Sequence, residues 1–91
     1  MSFSPSSIVV EPKRLHLLIE LARRGGQARS PDLRASVGIN SGPALIVHKR
    51  RLVKAGLIDY VGPQISLTLA GRKALASMAS AIQNALEATA P

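Results

Sequence analysis

Cysteine and tryptophan are absent from this 91-residue chain, and the aromatic side chains reduce to one Phe and one Tyr. Without cysteine there is no disulfide framework, no thiol redox chemistry and no thiolate zinc site. The two histidines, His16 and His48, are too few to hold a metal by themselves, so neither a metal nor another cofactor is expected. So few aromatics argue against an RNA-binding sheet on which bases stack. Acidic residues are scarce as well: five Asp and Glu stand against twelve Lys and Arg, a formal charge of +7. No uninterrupted apolar run approaches the ~18 residues of a membrane span. The start, Met1-Ser2-Phe3-Ser4-Pro5, lacks the basic-then-apolar pattern of a secretory signal. A cytoplasmic location is the default expectation, with nucleoid association if the partner is DNA. An enzyme is not expected, because no nucleophile–base pairing, metal-ligand set or Gly-rich phosphate loop can be found.

What remains is aliphatic and basic. Hydrophobic residues make up 46% of the chain, too many for a disordered basic tail. They are Leu, Ile, Val and Ala, which suit packed helices. The length allows one small domain whose core is only marginally sufficient for a lone monomer. Excess positive charge suggests a nucleic-acid footprint, although a ribosomal protein or a membrane-surface peptide can share that balance.

Residues 1–9 are read as a flexible arm, residues 10–75 as the domain, and residues 70–89 as a C-terminal helix. Ile8-Val9-Val10 forms either a short strand or an apolar patch against a helix. Pro12 suits a first helical position. From there to Arg24, Leu15, Leu18, Ile19 and Ala22 recur at helical spacing, with Leu17 and Leu21 widening the apolar surface, and Gly25-Gly26 ends the helix. Ser30-Pro31-Asp32 reads as cap, first helical residue and first-turn acid of a second, short helix that carries Leu33 and Val37 and stops at Gly38. Asn40 or Ser41 caps a third helix, with Gly42 and Pro43 in its first turn, running to Ala55 and stopping at Gly56. Helix, tight turn and helix make a helix-turn-helix. Residues 57–61 and 65–69 favour strand around Gly62-Pro63-Gln64, a short hairpin with an irregular tip or else an extended loop.

The third helix carries His48-Lys49-Arg50-Arg51-Leu52-Val53-Lys54 with no acidic residue. At about 100° per residue, Leu45 and Leu52 share one side with Gly56, flanked by Ile46 and Val53. Pro43, Val47, Arg50 and Lys54 lie opposite, with Arg51 adjacent. Charge runs are often only solvated faces; this one sits on the second helix of a helix-turn-helix and precedes a hairpin, which favours contact with DNA. Arg50 is the candidate reader of a guanine edge and Val47 the candidate contact to a thymine methyl. Arg51 and Lys54 suit phosphates, as does Ser41 with the amides at the helix start. Ser30, Asn40, Gly42, Pro43 and, at the hairpin, Gln64 complete the candidate DNA-binding set. Lys49 falls within the apolar arc and is expected to snorkel along its neighbours; His48 lies at the edge of that arc.

Leu52-Val53-Lys54-Ala55-Gly56-Leu57-Ile58 and Leu67-Thr68-Leu69-Ala70-Gly71-Arg72 resemble the end of the recognition helix and the segment after the wing in winged-helix regulators, particularly the MarR-like and ArsR-like families. His48 also resembles a residue frequent at that place in ArsR-like proteins. The resemblance covers about residues 12–75. It implies a mainly helical winged helix-turn-helix with a small hairpin wing, whose third helix enters the major groove and whose flanking helices dimerise. The chain departs from the pattern at Lys49, where an aliphatic residue is usual, and at the wing, which is short and has no Arg at its tip. The long terminal helical regions of MarR-like proteins are mostly missing, which argues against a small-molecule effector pocket, and no metal-sensing ligand set is present.

Leu75, Met78, Ala79, Ile82 and Leu86 form a stripe longer than a short domain needs for its own core. It is expected to pair with its copy in a homodimer, although ordinary core is the alternative. The expected function is therefore sequence-specific binding of double-stranded DNA by a homodimeric transcriptional regulator, leaning to repression. Two alternatives remain open: an architectural, replication or partition protein of a plasmid or virus, and a winged helix used for protein–protein contacts.

Overall fold

The computed structural model describes residues 12–89; the expected arm, with Ile8-Val9-Val10, lies outside them. In chain order the elements are α1 (Pro12–Arg23), β1 (Gln27–Arg29), α2 (Ser30–Val37), α3 (Gly42–Lys54), β2 (Ile58–Val61), β3 (Gln64–Leu67) and α4 (Leu69–Ala88). The chain is mainly helical, with four helices and one three-stranded antiparallel sheet of order β1-β3-β2 among the described residues.

The core is aliphatic throughout. Leu17, Leu18 and Leu21 of α1 meet Leu33 and Val37 of α2, Leu45 and Leu52 of α3, and Ala28, Ile58, Ile65 and Leu67 of the sheet. This corrects the α1 stripe: Leu17 and Leu21 are central, whereas Ile19 and Ala22 are exposed. Two overlapping stripes share Leu18, and the one facing α2 and β3 is covered. Helical periodicity alone does not say which side acquires a neighbour.

The first three helices end alike. The N–H groups of Gly26, Ile39 and Leu57 donate to Leu21, Arg34 and Leu52, while those of Gly25, Gly38 and Gly56 donate to Ala22, Ala35 and Val53. This paired closure satisfies carbonyls that a helix end leaves open. At α3 it also carries Leu57 into the core that holds Leu52, both fully buried. Gly38 has φ 73°, and its freedom in the left-handed region lets the chain turn from α2 to α3 within a few residues.

Strand β1 has no signal in the sequence and exists through β3. Gln27, Ala28 and Arg29 oppose Ser66, Ile65 and Gln64. On the other side of β3, Val61 opposes Gln64 across Gly62 and Pro63, so the hairpin tip is a tight two-residue turn rather than an irregular one. Gly62 has φ 57°, and a positive φ at the first turn position followed by proline's fixed φ matches the twist of a hairpin. The expected Ser30 cap is also corrected. Ser30 begins α2 itself, and Arg29 stands at the cap without a side-chain bond. Ser30 instead donates to the Pro63 carbonyl with its N–H (2.7 Å) and its hydroxyl (3.0 Å), because β1 pairing brings that acceptor alongside.

Helix α4 starts at Thr68, whose hydroxyl accepts from the Gly71 N–H (3.0 Å) and donates to the Gly56 carbonyl (2.6 Å). Gly71 is buried, and a Cβ there would overlap the Leu57 carbonyl oxygen, so glycine permits the close approach. Leu75 and Met78 are half-buried against the core, but every residue from Ala79 to Thr89 is exposed.

Candidate nucleic-acid interface

Helix α3 is positioned from both ends. Ser41, in an extended conformation, caps it by accepting from the Ala44 N–H at 3.2 Å, which resolves the choice between Asn40 and Ser41. Pro43 sits in the first turn, where a missing N–H leaves no helical bond unmade. Leu45 and Leu52 then face the core. That burial fixes the rotation of the helix and turns Pro43, Val47, Arg50, Arg51 and Lys54 outward, all exposed.

Val47, Arg50, Arg51 and Lys54 line one shallow depression on the outer surface. Helix α3 contains no acidic residue. Among the described residues, none of its three outward cationic side chains makes a hydrogen bond or ion pair, in contrast to Arg23 and Arg24, which both hold Glu20. Three like charges on one face raise a positive potential that attracts an anionic surface. Two guanidinium forks with an apolar contact between them can also read base edges.

The remaining candidates lie at the margins. Asn40 is exposed, Gly42 half-buried, and Ser41 exposes its hydroxyl next to the first amides of α3. Gln64 opens β3, half-buried, and its amide donates to the Gln27 side chain at 3.0 Å. The proton of the Ser30 hydroxyl is engaged by Pro63. Lys49 does more than snorkel: its ammonium lies 4.3 Å from the centroid of the Tyr60 ring, a cation–π contact from α3 to the hairpin. His48 is half-buried, as its place at the edge of the apolar arc implies.

Sequence reasoning missed two cations. Arg29 is exposed and opposes Gln64 beside the hairpin turn, so β1 brings a charge to a tip that has none of its own. Arg34 shares a second depression with Lys49, between α2 and α3. Neither carries a local signal, since each position follows from pairing or packing between distant segments.

No family model matches the chain, and no curated protein or solved structure matches it either. Among the described residues no helix is long and apolar enough to cross a membrane, and no group of His, Cys, Asp and Glu could hold a metal.

Proposed function

We propose that this chain is a winged helix-turn-helix protein that binds double-stranded DNA in a sequence-specific manner, as a regulator that acts by occupying an operator. The element order, with α2 and α3 as the helix-turn-helix and β2–β3 as the wing, supports that reading. The observation that carries it is the division of α3: Leu45 and Leu52 are buried, while Arg50, Arg51 and Lys54 stand exposed on the other side without an anionic partner among the described residues. A helix of this diameter fits the major groove of B-DNA.

In this reading Arg50 reads a guanine edge and Val47 packs on a thymine methyl. Arg51, Lys54, the Ser41 hydroxyl and the Gly42 N–H hold phosphates, with Pro43, which has no N–H, bordering them. Ser30 and Gln64 align the wing, with Asn40 at the approach to α3, and Arg29 supplies the cation that the wing tip lacks. Helix α4 pairs two copies through Leu75, Met78, Ala79, Ile82 and Leu86, so a palindromic site with half-sites about one helical turn apart is expected. Occupancy without an activating surface favours repression. The protein acts by binding, not by catalysis.

Selection of bound duplexes from random DNA tests binding, symmetry and spacing together. Recovery of a two-fold symmetric site is the expected result. Pools that stay random while binding remains tight would point to an architectural role, and failure to retain any duplex would overturn the reading.

A further inference from the structure

A second depression borders the outward face of α3. Ser30, Pro31 and Arg34 of α2 line one wall, and Gly42, Leu45, Ile46 and Lys49 of α3 line the other. Its floor is apolar: Leu45 is buried, and Ile46 is 43% exposed although it lies on a helix flank next to the core. Its charges are Arg34 and Lys49, and no carboxylate is among the lining residues. The Tyr60 ring holds the Lys49 ammonium at 4.3 Å. An aromatic face attracts a cation but carries no net charge, so it orients the ammonium without neutralising it. The Arg34 side chain makes no hydrogen bond or ion pair among the described residues.

A groove with an apolar floor and two unneutralised cations selects a ligand that is itself apolar on one face and anionic at its edge. We infer that the groove between α2 and α3 seats the sugar–phosphate backbone of DNA, with deoxyribose against Ile46 and Pro31 and phosphate oxygens at Arg34 and Lys49. The inference rests on the DNA-binding reading and deepens it. The interface extends past α3 onto α2, and Lys49, half-buried with its ammonium on Tyr60, contacts the strand that flanks the groove occupied by α3. These contacts position the protein and read no sequence. The hydrogen bonds from Ser30 to the hairpin turn tie the α2 wall to the hairpin, and the Lys49–Tyr60 contact ties the α3 wall to the same hairpin.

The test uses the full chain and a mixed-sequence duplex, with binding measured over a range of salt concentration. Each phosphate contact contributes about 0.9 to the slope of log affinity against log salt. Arg34→Gln and Lys49→Met are each expected to flatten the slope by about one unit, with equal loss of affinity for all sequences and an unchanged preference in selection. Lys73→Ala removes a charge on α4 outside the groove and serves as the matched control, expected to leave the slope near the parental value. Thermal melting reports on folding; if Lys49→Met alone lowers it, Arg34→Gln carries the test.

Parental binding that is tight and salt-dependent, with both variants keeping the parental slope, would overturn the groove assignment and leave the DNA reading in place. An equal loss in Lys73→Ala would overturn it too, as an effect of net charge. A polyglutamate that competes as well as duplex at equal charge would reject the deoxyribose part. If the parent fails to bind any duplex, the DNA reading falls and takes the groove with it.

Discussion

At the scale of single residues, charge separates into two kinds according to what surrounds it. Glu20 is the one buried charged residue among those described, and Arg23 and Arg24 meet it at 2.7 and 3.2 Å. Burial of its carboxylate works against ionisation, but the hydrogen bonds and charges of Arg24 and Arg23 outweigh it and hold its pKa below the ordinary glutamate value. A group depressed on folding stabilises the fold above its unfolded pKa, and that contribution is lost as pH falls through the folded value. Melting temperature should therefore decline on acidification through the carboxylate range, and Glu20→Gln should flatten that decline; equal acid sensitivity in parent and variant would show that Glu20 is not responsible. Arg24 also donates to the Ser36 hydroxyl at 2.6 Å, so its charge serves the junction of α1 and α2. Among the described residues, the side chains of Arg50 and Lys54 have no such partners. On a selected operator, Arg50→Ala should lose about 1–3 kcal/mol and relax preference at one base position. Lys54→Ala should weaken binding to all sequences alike and reduce the salt slope by about one unit. Titration of both variants against the operator and a scrambled duplex separates the two roles, and parental behaviour in both would place the recognition face elsewhere.

At the scale of elements, stability is concentrated where one end of an element fastens another. Thr68 caps α4 and at the same time donates to the Gly56 carbonyl at the end of α3. Thr68→Ala should therefore lose about 1–2 kcal/mol, a cap plus a tie, as a shift in the denaturant midpoint with unchanged slope. A loss of only a few tenths would mean that water replaces both bonds. These joints also mark what was legible in the sequence. Helix ends were, because Gly25, Gly38, Gly56, Ser41 and Pro31 act through their own few neighbours. The polar and apolar sides of α3 were too, since Leu45 and Leu52 share an angle on a regular helix. Strand β1 was not, because Gln27-Ala28-Arg29 is too short to show a period and is defined by its pairing with β3. For the same reason the engagement of Ser30 with Pro63, the exposure of Ile19 and the charges that Arg29 and Arg34 add to the margins could not be read locally. The sequence thus marked the centre of the candidate interface, while its borders depend on contacts between segments far apart in the chain.

At the scale of the whole molecule, the distribution of charge and apolar surface bears on the proposed pairing of two copies. All twelve Lys and Arg precede residue 74, and the only ionisable side chain after Lys73 is Glu87. Chains of net charge +7 repel one another, and the distal half of α4 is the part of the described surface where that repulsion is least. It is also where apolar side chains lack cover: Ile82 is 58% and Leu86 62% exposed. From Ala79 onward the helix touches no core, and an isolated helix shorter than about 12–15 residues is marginal in water. Leu75, Ala79, Ile82 and Leu86 are spaced four, three and four apart, the alternation that keeps one seam facing a partner helix, and alanine within the seam allows close approach. Pairing of α4 with a second α4 would bury the seam, order the distal turns and leave both α3 faces free. The parent should therefore sediment as a dimer, and Ile82→Asp with Leu86→Asp should sediment as a monomer with less helical ellipticity. The monomeric variant should bind a palindromic operator far more weakly while retaining the parental affinity for a half-site. A parent already monomeric at the concentrations that saturate the operator, or a double variant of unchanged mass, would rule out α4 as the dimer contact. In the proposed complex, the two α3 helices would then have to be spaced by the DNA itself.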